Sequence, residues 1–221
     1  MRTIVIGGQP GSIGGAIAAE LSCRDHRVLK LSRGASHRLD LNWAEDEIGM
    51  AMRSAVDYLD GLDALVVCSG MGAAHGPGEA DEDVVEAMFR VNCMGPLLAY
   101  WAVQQDLLRS HGQVLFLGST MAQHGARGFG LYGGCKAFIE GFVRSEAKTW
   151  KRLRLNVLAP GWVETNMTAD LKPELRAAAE EWMPMGRFLQ PHEVANRALE
   201  ILESGETGRV IEYLGEDLVE E

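Results

Sequence analysis

The chain has 221 residues, of which 47% are hydrophobic and 24% charged, and its 21 basic and 31 acidic side chains leave a formal net charge of −10. A chain of this size and balance can bury one sizeable core, which excludes disorder on compositional grounds. The acidic surplus argues against a nucleic acid or an anionic membrane as partner, because phosphates would be repelled.

The N-terminus, MRTIVIGG, runs from a short apolar stretch straight into glycines. That stretch is too short for a signal peptide, and nowhere does the chain approach the roughly 20 apolar residues of a membrane span. The expectation is a cytoplasmic protein. Cys23, Cys68, Cys93 and Cys135 form no CxxC pair and lie near no histidine cluster. They are expected to be reduced, mostly buried thiols, with no metal site and no disulfide framework.

In chain order, residues 3–7 (TIVIG) read as a buried strand and residues 12–22 as a helix. Residues 27–32 (RVLKLS) and 37–41 are strands, residues 45–60 a helix, and residues 64–69 (ALVVCS) a strand. Residues 81–110 form one long helix, followed by a strand at 113–118 (QVLFLG) and a helix at 131–151. A strand at 154–159 (RLNVLA), a helix at 191–204 and a last strand at 209–213 close the series. Strands that are apolar throughout indicate burial on both faces. Their alternation with helices predicts an α/β domain over 1–221, a doubly wound parallel sheet with helices on both faces. Residues 163–186 are irregular apart from a helical piece at 173–181. A segment placed there, after a late strand, is expected to cover a ligand crevice.

The first strand leads into Gly7-Gly8-Gln9-Pro10-Gly11-Ser12-Ile13-Gly14, and a helix follows. Glycines permit a tight turn with close backbone approach, and the helix N-terminus offers N–H groups to a pyrophosphate. The stretch therefore reads as a dinucleotide loop, the other reading being a glycine-rich turn with no ligand. At the end of the second strand stand Ser32 and Arg33, where an NAD site commonly carries an acid. Arg33 is either a solvated surface arginine or the partner of a 2′-phosphate, and its guanidinium suits the latter. This favours NADP(H) over NAD(H). Asp40, followed by Leu41, is either a turn residue or a hydrogen-bond acceptor for the adenine amino group.

Tyr132-Gly133-Gly134-Cys135-Lys136 places a phenol and an ammonium four residues apart on one helix face. The positive charge is expected to lower a phenol pKa otherwise near 10, so that it can exchange a proton near neutral pH. Ser119 lies thirteen residues earlier, just past an apolar strand, and Pro160-Gly161-Trp162-Val163-Glu164-Thr165 follows the next strand. With the glycine loop, Asp40-Leu41 and Asn92, this set resembles the short-chain dehydrogenase/reductase family, over residues 3 to about 211.

The resemblance implies a single-domain Rossmann fold and a set of roles. Tyr132 would be the acid in reduction and the base in oxidation. Ser119 would hydrogen-bond the substrate oxygen. Lys136 would hold the nicotinamide ribose and tune Tyr132, and Asn92 would complete a proton relay. Pro160, Gly161, Val163 and Thr165 would shape the nicotinamide pocket. The resemblance further implies a homodimer or homotetramer acting on a small carbonyl or alcohol. Two departures are visible. The loop spacing is GxxGxxG, with Gly7 and Ser12 where ordinary-length members carry threonine and glycine. The NNAG segment is replaced by Val67-Cys68-Ser69-Gly70, which puts its cofactor contacts in question.

Pro96 lies four residues after Asn92 and has no N–H, so the helix should bend and the carbonyl of Asn92 lose its helical partner. That carbonyl serves a water relay, or the kink only improves packing. Met121, His124, Trp162 and Met167 are candidates to line an apolar substrate pocket, with His124 either an extra acid/base or a polar surface residue. The substrate class stays open among ketone, aldehyde, 3-oxoacyl thioester and pterin. A cofactor-binding sensor and a nicotinamide-assisted epimerase or dehydratase are the alternative functions.

Overall fold

A computed structural model of the chain describes residues 1–72 and 81–215. Seven described strands form one parallel sheet: β1 (Arg2–Ile6), β2 (Arg27–Ser32), β3 (His37–Arg38), β4 (Ala64–Val67), β5 (Gln113–Leu117), β6 (Arg154–Pro160) and β7 (Val210–Tyr213). Their order is β3-β2-β1-β4-β5-β6-β7. Ile4 stands opposite Leu29 on one side and Leu65 on the other, and Leu115 opposite Asn156. The chain therefore winds outward from β1 in one direction and from β4 in the other. A crevice opens between those two strands at their carboxyl ends.

The described residues form seven α-helices around the sheet: α1 (Ile13–Cys23), α2 (Glu45–Leu59), α3 (Glu82–Phe89), α4 (Gly95–Ser110), α5 (Gly130–Thr149), α6 (Pro173–Trp182) and α7 (Pro191–Ser204). Alternate strand residues feed two cores. Ile4 and Ile6 pack with Met52 of α2, Tyr100 and Val103 of α4 and Val143 of α5. Val5 packs with Ile17 and Leu21 of α1 and with Val194 and Leu199 of α7. Each such side chain, fully buried, contributes about 1.5–3 kcal/mol. Among the described residues no helix is long and apolar enough to cross a membrane.

Three expectations are corrected. The third strand ends at Arg38, because the Asp40 carboxylate turns the chain by accepting the Asn42 N–H at 3.0 Å. The helix expected over 81–110 is interrupted by a π turn at Arg90–Met94, in which the Gly95 N–H bonds the carbonyl of Arg90. Pro96 explains the break: without its N–H the regular ladder cannot continue, and the chain takes a wider turn in place of a simple kink. Gly95 lets this turn pass Leu41, since a Cβ there would lie 2.5 Å from the Leu41 Cβ. The thiols are not mostly buried: Cys93 and Cys135 are, Cys68 is half-buried and Cys23 is exposed.

Candidate active site

The loop between β1 and α1 is shaped by short contacts. Gly11 has φ +73 with open space around its Cβ position, and a Cβ on Gly15 would sit 2.1 Å from the Gln9 carbonyl oxygen. Ser12 caps α1. Its hydroxyl accepts the Gly15 N–H at 3.0 Å and reaches the Gln9 carbonyl at 2.6 Å. The side chain in the glycine position thus holds the loop's own backbone. No acid stands in the first turn of α1, so nothing there opposes an anion at the helix N-terminus. Gly8 and Gly14 complete the wall: a Cβ on Gly14 would meet the Gly7 carbonyl and Cys68, and one on Gly8 would meet Lys30. The loop fits a dinucleotide pyrophosphate, with Gln9, Pro10 and Ile13 at its rim.

The Val67-Cys68-Ser69-Gly70 segment keeps contact with this loop through different atoms. The backbone N of Ser69 lies 2.8 Å, and its hydroxyl 3.0 Å, from where a Gly7 Cβ would be. Burial pushes the Cys68 thiol up to about 12, so it stays protonated. At the end of β2, Ser32 is buried and Arg33 exposed. Arg38 stands opposite Ser32 in register. With Lys30 against Gly8, three cations surround the carboxyl end of β2. Sequence reasoning singled out one of them.

Ser119 ends the segment after β5 and caps a short 3₁₀ turn, its hydroxyl accepting the Met121 N–H at 3.2 Å. Tyr132 and Lys136 occupy the first turns of α5. Ser119 and Tyr132 line the same cavity, and the Ser119 hydroxyl lies near enough to the phenol to lower its proton affinity. The Lys136 ammonium is buried, 5.6 Å from the centre of the tyrosine ring, and donates to the Leu117 carbonyl at 2.8 Å. The three groups converge.

The proton affinities differ from the expectation. Burial pushes the Tyr132 phenol up to about 12, against the opposing pull of Ser119. Burial also lowers Lys136 from 10.5 to about 8. Desolvation outweighs the pull of Ser119, so Tyr132 is held as the acid.

Asn92 is buried in the π turn, and its amide is committed. Oδ1 accepts the Met71 N–H at 3.0 Å and Nδ2 donates to the Met71 carbonyl at 2.7 Å. Gly70 lies between this amide and Lys136: a Cβ there would be 3.1 Å from Asn92 Oδ1 and 3.5 Å from Lys136 Nζ. Pro96 denies the Asn92 carbonyl its α-helical donor. Met71 as the amide's partner left no trace in the sequence.

Over Tyr132 opens a cavity of about 1000 Å³, lined by Met121, Phe129, Trp162, Met167, Leu171 and Leu175, with Ser119, Tyr132, Pro160, Gly161, Val163 and Thr165 at its floor. Leu171 and Leu175 were missed: Leu171 precedes α6, so no single helical period links the two. The Thr168 hydroxyl staples the loop, accepting from the Thr165 N–H at 3.0 Å and donating to the Val163 carbonyl at 2.6 Å. His124 is not brought to this cavity. Its Nε2 pairs with Glu212 at 2.7 Å, and its ring lies 5.6 Å from Trp182.

The fold and these converging groups define a nucleotide-dependent oxidoreductase scaffold. A family model described as enoyl-(acyl carrier protein) reductase matches residues 27–211. Carbonyl reductase family member 4 of Danio rerio is 31% identical over 219 residues, covering 91% of this chain and 90% of that protein. The 3-oxoacyl-(acyl-carrier-protein) reductase FabG of Aquifex aeolicus is 30% identical over 220 residues, 96% of this chain and 86% of its own. A solved protein of Thermus thermophilus superposes with a TM-score of 0.89 at 28% identity, over 97% of each chain. The chain belongs to the short-chain dehydrogenase/reductase family and has its NAD(P)-binding Rossmann fold.

Proposed function

We propose that the chain is an NADPH-dependent carbonyl reductase with Tyr132 as general acid. The observation that carries this reading is that Ser119 and Tyr132 share the lining of an apolar cavity, with the buried Lys136 ammonium 5.6 Å from the tyrosine ring centre. NADPH would be held by the residue 8–14 loop, by Ser32 and Arg33, and by the 160–165 turn, and it supplies the hydride. Ser119 and Tyr132 orient the carbonyl oxygen, and Tyr132 gives up its hydroxyl proton as negative charge develops there. Lys136 stabilises the resulting phenolate. The Asn92 carbonyl, which Pro96 denies its α-helical donor, would take part in proton resupply.

Arg33, Lys30 and Arg38 support NADPH over NADH, since a 2′-phosphate meets cations there and Asp40 is turned toward Asn42. The apolar lining supports a ketone, an aldehyde or a 3-oxoacyl group with a hydrocarbon portion. The test is NADPH oxidation with a panel of such carbonyls, repeated with NADH and with Tyr132→Phe. Tyr132→Phe turning over at the native rate would overturn the mechanism.

A further inference from the structure

Arg176 is not among the cavity's lining residues yet joins three segments beside it. It sits in α6, one residue after Leu175, which lines the cavity. Its two terminal nitrogens grip both carboxylate oxygens of Glu164, with the Nη1 contact at 3.3 Å. Its Nε donates to Glu180 at 2.9 Å. The flat face of the guanidinium lies 4.5 Å from the centre of the Phe188 ring. Phe188 stacks in turn on Trp162 at 5.5 Å and an interplanar angle of 21°. Glu164 lies between Val163 and Thr165, and its N–H bonds the Leu189 carbonyl at 2.8 Å. One side chain thus connects the turn after β6, the helix beside the cavity and the segment that leads into α7.

We infer that Arg176 is a positioning residue that couples cofactor occupancy of the 160–165 turn to the seating of α6 over the substrate cavity. The coupling rests on the reading of that turn as part of the cofactor site. An isolated exposed ion pair would do little. Arg176 differs because its contacts are bidentate, shared between two carboxylates and backed by an aromatic face, a geometry a lysine cannot reproduce. If the 160–165 turn shifts or stiffens, Glu164 moves with it, and Arg176 carries α6 and Leu175 along. Loss of the clasp should loosen α6 while leaving both cores intact. It should weaken substrate capture more than chemistry.

The test is amide hydrogen exchange across the chain, with and without NADPH, on the native protein, Arg176→Ala and Arg176→Lys. In Arg176→Ala the α6 amides should exchange about tenfold faster while those of β4 and β5 keep their native rates, the behaviour of a locally released element. NADPH should slow α6 exchange in the native chain and fail to do so in Arg176→Ala, with Arg176→Lys restoring only part of the effect. With any carbonyl that the native protein reduces, KM should rise about tenfold with kcat within about twofold, the cost of one charged bidentate contact. Native α6 exchange in Arg176→Ala, or equal NADPH protection of α6 in both, overturns the clasp. NADPH protection of residues 8–15 without any at α6 in the native chain overturns the coupling alone. NADPH protection at neither place overturns the cofactor reading together with the coupling. Should the core amides of Arg176→Ala also speed up, Arg176→Lys with Glu164→Gln carries the same comparison.

Discussion

Replacing Lys136 by methionine should abolish activity and stabilise the protein at neutral pH. Lys136 is 3% exposed, and burial lowers its pKa from 10.5 to about 8. Each tenfold change in proton affinity is worth about 1.4 kcal/mol, so the charged ammonium opposes folding by about 3 kcal/mol. Methionine fills a similar volume but leaves the Leu117 carbonyl without its donor, which costs about 1 kcal/mol. The net gain is about 2 kcal/mol, or about 4–8 °C in Tm for a chain of this length. The sign with pH follows from linkage. Below pH 8 both folded and unfolded chains hold the proton, and the native fold bears the full penalty. Between 8 and 10.5 the unfolded chain binds more protons, so native stability rises with pH and the variant's advantage shrinks. Thermal melts of both proteins across this window are the assay. A variant less stable at neutral pH, or an advantage that does not change with pH, would refute the claim that the ammonium is held at a cost.

Tyr132→Phe should fold normally and lose about 10²–10⁴ in kcat, measured as NADPH oxidation. The difference between the ultraviolet titrations of native and Tyr132→Phe protein should show this phenol ionising only near pH 12 in the unliganded state, because burial raises it; ionisation below 10 would contradict the burial argument. Arg33→Ser should raise KM for NADPH about tenfold or more, the loss of a charge-assisted contact, and leave that for NADH unchanged. His124→Asn should keep kcat/KM within about twofold and stability within about 1 kcal/mol, since it removes a largely exposed ion pair outside the cavity.

What the sequence showed clearly was what rests on local patterning. Apolar runs such as Ala64–Val67 in β4 and amphipathic stretches such as Glu45–Leu59 in α2 announce their structure by period alone. The phenol and ammonium of α5 are legible because four residues make one helical turn. Less was legible where a side chain competes for backbone groups. The Asp40 carboxylate ends β3 early by capping Asn42, and Pro96 gave away the break in the long helix but not that a π turn would resolve it. His124 could not be placed, because Glu212 lies 88 positions away in sequence. Nor could the height of the Tyr132 pKa be read: spacing shows that a cation is near, whereas burial, which decides the sign here, belongs to the folded molecule.

The replacement of NNAG by Val67-Cys68-Ser69-Gly70 can now be understood position by position. Cys68 and Ser69 face the residue 7–14 loop, and contact with a glycine surface can be made by various small side chains. Gly70 has no such latitude, because it separates Asn92 Oδ1 from Lys136 Nζ by the thickness of a bare backbone. Alanine there would bring a methyl to 3.1 Å of the amide oxygen and 3.5 Å of the ammonium. It would press on the Asn92–Met71 pair that ties the end of β4 to the π turn. The same pair occupies the Asn92 amide, while Pro96 denies the Asn92 carbonyl its α-helical donor. Buried ammonium, freed carbonyl and thin glycine are each unfavourable or restrictive alone. They coexist because two cores, one on each face of the sheet, hold β4 and α5, while Cys93 of the π turn packs with Met88 of α3 and Cys135 of α5.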